Sequence, residues 1–338
     1  MLILIAYKNP NADNPACRHS GLGITASNLA EVLNDNSLPA LALPVANGEV
    51  LWSALLVRKD VTHVVICAPF FDTAFLEKMV RNFPHVRFTL TYHSNWGFLQ
   101  QDVWAVKSLV AQIALQGAVR NFEISGNCEE FTESTTAAYS LPIAHLPNLF
   151  WMQGPVTRSR PAWTNTRDLH LGIFGATRVL KNVLTGVVAS FIIGRTLKAQ
   201  RTFIHVSSGR VEHGDGVMLT IRQAFTGQAQ FELVEEEWAA WPDFQIRVRW
   251  MDLLLQTSYT ESFNNVTADG VTQGVASVVG DPINWVPASW RASPDDARAI
   301  AAAGVKLLSD PNTAREGYQA LTAHNTAGVV AWRGWLAA

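Results

Sequence analysis

Short apolar runs recur along this chain, and a longer segment of helical period follows most of them. Leu2–Ala6 is such a run, and Ile24–Leu33 then places Ile24, Leu29, Val32 and Leu33 on one helical face. His63–Cys67 precedes the helical pattern Phe75–Phe83, and Val86–Thr91 precedes a helical stretch from Asp102 to Leu115. Phe122–Ile124 and Ile143–Leu146 read as further strands. Alternation of this kind predicts βα units and a parallel sheet. A basic, Pro-bearing segment, Gly154–Pro161, interrupts it and reads as a linker. A second series follows. Its runs are Leu169–Phe174, Thr202–Val206, Phe231–Val234, Met251–Gln256, Ala276–Val279 and Val305–Leu308. Helices are expected near Val183–Leu197, Gly216–Phe225, Asn264–Gln273, Asp295–Ala303 and from Thr313 onward. With 338 residues, two domains are expected.

Composition narrows the function classes. Apolar residues make up 48% and charged residues 16%, which excludes a disordered chain. A net charge of −2 excludes a globally basic nucleic-acid coat, while leaving the local clusters Arg158/Arg160/Arg167 and Arg195/Lys198/Arg201. Cys17, Cys67 and Cys128 form neither a disulfide framework nor a CxxC pair, so a reducing cytoplasm is expected. The opening Met1–Ala6 run is too short for a signal h-region. The longest apolar stretch, near Val183–Ile193, falls short of the ~20 residues of a spanning helix, so no membrane insertion is expected.

In open α/β sheets ligands sit beyond the carboxyl ends of strands, which directs attention to the residues after each run. Ser258–Asp269 is the sharpest segment. A strand ends, Glu261 follows, a helix starts, and a second carboxylate, Asp269, lies eight positions on. Backbone N–H groups at a helix start seat anions, and carboxylates beside them hold polyol hydroxyls. The plain alternative is a cap, with Thr260 or Ser262 closing the helix and Glu261 complementing its dipole. A second segment, Gly172–Asn182, ends a strand in glycine and then presents Arg178 and Lys181 before a helix. Fixed cations there would stabilise a diphosphate leaving group without a metal; the alternative is a solvent-exposed basic helix start. Ser20–Ala26 contains Gly21 and Gly23 in a GxGxxA spacing, but too far past the first strand for a dinucleotide fingerprint. His93 stands just beyond a strand end, where a neutral imidazole could bond a sugar hydroxyl. In Glu235–Trp238 a carboxylate or backbone amide could read a base edge; the plain alternative is a solvated acidic helix start.

Thr260–Val279 followed by Asp281 resembles the signature of the GT-B glycosyltransferases of the large retaining family, glycosyltransferase family 4. That pattern has two Glu residues separated by seven others, and Gly274–Asp281 matches its continuation. The resemblance implies an α/β fold of two doubly wound Rossmann-like lobes facing a cleft. These are an acceptor-side lobe (1–152), a linker (153–166), a nucleotide-sugar lobe (167–312) and a closing helix (313–338) that returns to the first lobe. It implies that Glu261 faces the transferred sugar and that Asp269, one methylene shorter than the usual Glu, holds the ribose. Lys181, with Arg178, Gly175 and amides at Asn264 and Asn265, would hold the diphosphate. Gly21 and Gly23 would lie in a loop approaching it, and His93 near the sugar. Asn148 looks like the family's Pro-Asn, with a structural role.

The implied activity is transfer with retention from a nucleotide-diphosphate sugar, without cofactor or metal, to a small molecule or glycan. One alternative acceptor is a hydroxymethylated base in DNA, as in phage-type enzymes, which would place the protein in a host cytoplasm. Another reading is a non-catalytic nucleotide-sugar-binding subunit. A nicotinamide oxidoreductase is disfavoured by the misplaced glycines. The sequence leaves sugar, base and oligomeric state open.

Overall fold

A computed structural model describes residues 1–9, 21–154, 161–212 and 215–338. Cys17, Ser20, Arg158, Arg160 and positions 155–160 of the predicted linker lie outside the described residues. The chain divides into two units, Met1–Trp151 with His324–Ala338, and Met152–Ala323.

The first unit is built on β1 (Leu2–Lys8), β2 (Ala40–Val45), β3 (Val61–Cys67), β4 (Arg87–Tyr92), β5 (Phe122–Gly126) and β6 (Ala144–His145). All pair in parallel, in the order β2-β1-β3-β4-β5-β6. Parallel central strands are covered on both faces and therefore read as unbroken apolar runs. In β1, Leu2, Leu4 and Ala6 enter one core, and Ile3, Ile5 and Tyr7 enter another on the opposite face. The helices are α1 (Gly21–Asp35), α2 (Gly48–Val57), α3 (Thr73–Asn82), α4 (Trp96–Leu99), α5 (Val103–Ala118) and α6 (Glu129–Tyr139). The Asn47, Asp72 and Asp102 side chains cap α2, α3 and α5.

The final helix, α12 (Thr313–Ala337), belongs to this unit from His324 onward. Trp332 and Trp335 bury against the unit's second core. The Trp332 indole N–H donates to the Pro147 carbonyl at 2.9 Å, and Arg87 lies over the Trp335 ring at 5.2 Å.

The second unit carries β7 (Leu169–Ile173), β8 (Thr202–Ser207), β9 (Phe231–Glu236), β10 (Leu253–Gln256) and β11 (Ser277–Val279), parallel and in the order β11-β10-β7-β8-β9. Around them lie α7 (Val183–Thr196), α8 (Asp215–Ala224), α9 (Trp241–Arg249), α10 (Asn265–Thr272) and α11 (Ala297–Ser309). Helix α7 is a core element, with Val187, Ala189, Ser190 and Ile193 buried. The apolar window it ends is longer than the sequence reading allowed. Val179–Thr196 spans 18 residues, enough by length and composition to cross a membrane, and half of it is buried inside this unit.

Several local expectations need correction. Val305–Leu308 is the end of α11, not a strand, because four apolar residues fit either period. The sequence pattern does not mark strand β2 or helices α2, α4, α6 and α9. Glu235 and Glu236 close β9 instead of opening a helix.

Candidate functional site

The strand order of the second unit reverses direction between β7 and β10. These neighbours pair through Leu253 with Leu171 and Leu254 with Gly172, and the chain leaves them toward opposite edges of the sheet. Such a point opens a crevice beyond the carboxyl ends of the two strands. After β7 the chain turns at Gly175, whose φ of +117° favours glycine. Its N–H donates to Ser207 Oγ at 3.2 Å, and the Thr177 hydroxyl donates to the Ser207 carbonyl, so the loop is fixed to the end of β8. One 3-10 turn, Val179–Lys181, then leads to Asn182, which adopts a left-handed conformation. The Asn182 side-chain amide donates to the carbonyls of Thr257 (3.1 Å) and Pro294 (2.7 Å). Tyr259 N–H donates to the Leu180 carbonyl at 3.0 Å. The loops after β7 and β10 are thereby stitched together.

This stitching brings Lys181 and Glu261 into a direct ion pair, with side chains only 17% and 12% exposed. The same carboxylate oxygen, Oε1, also accepts from Ser258 Oγ at 3.1 Å and Asn264 Nδ2 at 3.2 Å. Burial pushes the Glu261 pKa up, but Lys181, Arg178 and the Ser258 hydroxyl outweigh it and hold the group below the usual carboxylate range. Asn264 has φ +66° and caps α10, its Oδ1 accepting the Thr267 N–H at 2.9 Å. Asn265 is the first residue of α10. A cation, a buried carboxylate and a helix N-terminus therefore share the carboxyl end of this sheet, a setting for a negatively charged ligand that also carries hydroxyls. Arg178 acts on Glu261 by its charge and is itself held by a carboxylate. It pairs with Glu212 at 3.1 Å, and Glu212 also pairs with Arg210.

Asp269 lies where the spacing from Glu261 expects it, within the helix, and its carboxylate has partners in the chain. It lies inside α10 at 2% exposure, and its Oδ1 accepts from Trp241 Nε1 at 2.7 Å and Gln245 Nε2 at 3.4 Å. Burial raises the carboxyl pKa to about 7 against the two hydrogen bonds, which lower it. A folded-state pKa above the unfolded value of 3.8 gives stability that is fully present below 3.8 and is lost as pH rises through about 7. Asp269→Asn keeps the acceptor oxygen without the charge. Its melting temperature should match the parent near pH 4 and exceed it by several degrees at pH 8. Parallel melting curves across that range would refute the assignment.

In the first unit, His93, Asn127 and Asn148 follow β4, β5 and β6. His93 Nδ1 lies 3.4 Å from Asn127 Nδ2, and Asn148 also hydrogen-bonds the ring. Burial pulls the His93 pKa down to about 4, so the imidazole is neutral at pH 7. The Asn148 carbonyl lies 2.8 Å from His324 Nε2. Gly21 and Gly23 are the first and third residues of α1, not part of a loop ahead of it. Among the described residues of the basic clusters, three arginines have partners. Arg167 pairs with Asp252 at 2.7 Å, Arg201 with Glu232 at 3.3 Å, and Arg195 donates to Gln228 at 2.6 Å.

No family model and no curated protein matches the sequence. Solved structures do. Sucrose-phosphate synthase from Thermosynechococcus elongatus superposes with a TM-score of 0.65 at 14% identity, covering 98% of each chain. The UDP-forming trehalose-phosphate synthase from Burkholderia xenovorans gives 0.60 at 10% identity, covering 99% of this chain and 98% of the other. The chain has the GT-B fold. S. aureus TarM, solved with UDP and alpha-GlcNAc-glycerol, gives 0.61 at 11% identity, and the present chain spans 58% of TarM's length.

Within this GT-B fold, Lys181, Glu261, Asn264 and Asn265 gather on the second unit around the turn at Gly175. His93, Gly21 and Gly23 belong to the first unit. Sequence reasoning missed Ser258 as a Glu261 partner, Asn182 as the stitch between loops, and Trp241 as the partner of Asp269. Pro242 after Trp241 was an available signal, since proline in the first turn marks a helix start.

Proposed function

We propose that the protein is a glycosyltransferase that moves a sugar from a nucleoside-diphosphate donor to an acceptor hydroxyl, with retention of anomeric configuration and without a divalent ion. The observation that supports this reading is the Lys181–Glu261 pair at the β7/β10 switch point, beside the capped start of α10. As the bond from the anomeric carbon to the diphosphate breaks and the bond to the acceptor oxygen forms, negative charge collects on the leaving oxygen, which takes up the acceptor's proton. Lys181 and the first-turn N–H groups of α10 offset that charge in a partly desolvated setting. Glu261 accepts hydrogen bonds from sugar hydroxyls. Arg178, held by Glu212, adds positive potential at Glu261. Retention follows from the resemblance carried by Glu261 and Asp269. The acceptor class proposed is a small molecule or glycan. A reducing compartment suits the free thiols of Cys67 and Cys128.

The test is a thermal-shift screen against UDP, GDP and ADP and their sugar conjugates, followed by turnover on simple glycosides with and without EDTA. A ligand at a hundred times its dissociation constant should stabilise by about 2.7 kcal/mol. The product's anomeric configuration, read by NMR, should equal the donor's, and EDTA should leave the rate unchanged. Absence of any nucleotide-dependent shift and of any transfer would sink the proposal; an inverted product or EDTA sensitivity would overturn the finer claims.

A further inference from the structure

The three donors that reach Glu261 converge on one oxygen. Lys181 Nζ, Ser258 Oγ and Asn264 Nδ2 all meet Oε1, and Oε2 takes part in none of these bonds. Asn264 is the unusual member of the set. Its backbone φ of +66° is a conformation in which glycine is at ease and a side chain needs a reason to be present. The side chain uses every polar atom it has. Oδ1 accepts the Thr267 N–H at 2.9 Å, and Nδ2 donates to both Glu261 Oε1 and Gln256 Oε1, each at 3.2 Å. The amide orientation is chemically forced. The reverse orientation would set Oδ1 against the Glu261 carboxylate and an N–H against the Thr267 N–H. Asn264 and Gln256 are 6% and 3% exposed, so water is a poor substitute for these bonds.

We infer that Asn264 is a positioning residue, whose side-chain amide locks Glu261 through Oε1 so that Oε2 is presented to a hydroxyl of the donor sugar. The inference rests on the proposed glycosyl-transfer reading. A cap alone would need only Oδ1; the second function of the amide is to fix which carboxylate oxygen is used and in what direction. Lys181 can then turn from Glu261 toward a diphosphate while Ser258 and Asn264 hold the carboxylate in place. That division of labour explains why two neutral donors accompany the ion pair.

The test is a double-mutant cycle on Asn264→Gly and Glu261→Ala. Glycine keeps the left-handed backbone and removes only the amide. The readouts are kcat and the ratio of dissociation constants for a nucleoside diphosphate and its sugar conjugate, using the pair that binds best among UDP, GDP and ADP with their glucose conjugates. In the parent chain, Asn264→Gly should lower kcat and the preference for the sugar conjugate at least tenfold, while diphosphate affinity stays within about threefold. In the Glu261→Ala background the same change should have no further effect on that preference, because the group it positions is gone. An equal loss in both backgrounds would mean that Asn264 acts only as a helix cap. No loss in the parent would mean that it positions nothing. Either result overturns the inference and leaves the glycosyl-transfer reading intact. If the parent shows no sugar-dependent binding at all, that reading fails, and the inference with it.

Discussion

Lys181→Ala should lower the rate of sugar transfer by about 10²- to 10³-fold, the usual consequence of removing one fixed donor from developing charge. The same change leaves the Glu261 carboxylate buried without its cation, which is costly in itself. The variant should therefore melt at a lower temperature as well. The two effects separate in the double variant Lys181→Ala/Glu261→Ala, which removes both charges. Its stability should recover toward that of the parent, while its turnover stays low. Near-normal turnover in Lys181→Ala, measured with saturating donor, would exclude a role for Lys181 in stabilising the leaving group. Recovery of turnover in the double variant would show that the single change acted only through stability.

Asp252→Ala should destabilise the second unit by about 3–5 kcal/mol, as expected for a broken buried ion pair. The Asp252 side chain is fully buried. Oδ1 pairs with Arg167 at 2.7 Å and Oδ2 accepts the His170 N–H at 2.9 Å. The Asp252 N–H in turn donates to the His170 carbonyl at 2.8 Å. This aspartate stands just before β10 and grips the first residues of β7. It ties together the two strands whose far ends carry Glu261 and Lys181. Denaturant titration reads the loss directly, and a change under about 1 kcal/mol would show that the pair is dispensable. Asp252→Asn retains an acceptor for His170 and should fall between the two.

Much of this architecture was legible before any coordinates. Runs such as Leu2–Ala6, His63–Cys67 and Leu169–Phe174 became central parallel strands, because a strand covered on both faces has no polar positions to alternate. Other elements carried no comparable mark. Helix α6, Glu129–Tyr139, is rich in Ser and Thr, which are weak helix formers, and it begins after Cys128 without a side-chain cap. Strand β2 contains Pro44, and it sits at the sheet edge where proline is tolerated. Arg167 looked like part of a basic surface cluster, since nothing local reveals an aspartate 85 positions away. Asp269 was read by its spacing from Glu261, and that spacing is real. Its engagement by Trp241 depends on where α9 lies after crossing the sheet, which spacing cannot express.

The chain's local chemistry settled the alternation of strand and helix, the glycine turn before Lys181, and the carboxylate that opens the way into α10. Those features depend on neighbours within a few residues, through periodicity, backbone sterics and capping. Folding in three dimensions decided which of them meet. Lys181 and Glu261 stand 80 positions apart and touch only because β7 pairs directly with β10, while β8 and β9 are laid on the other side. Strand order comes from crossover geometry and from the burial of whole faces, quantities that belong to the assembled sheet. Hence the charged groups could be named from the sequence, while the single carboxylate oxygen on which their bonds converge came from the fold.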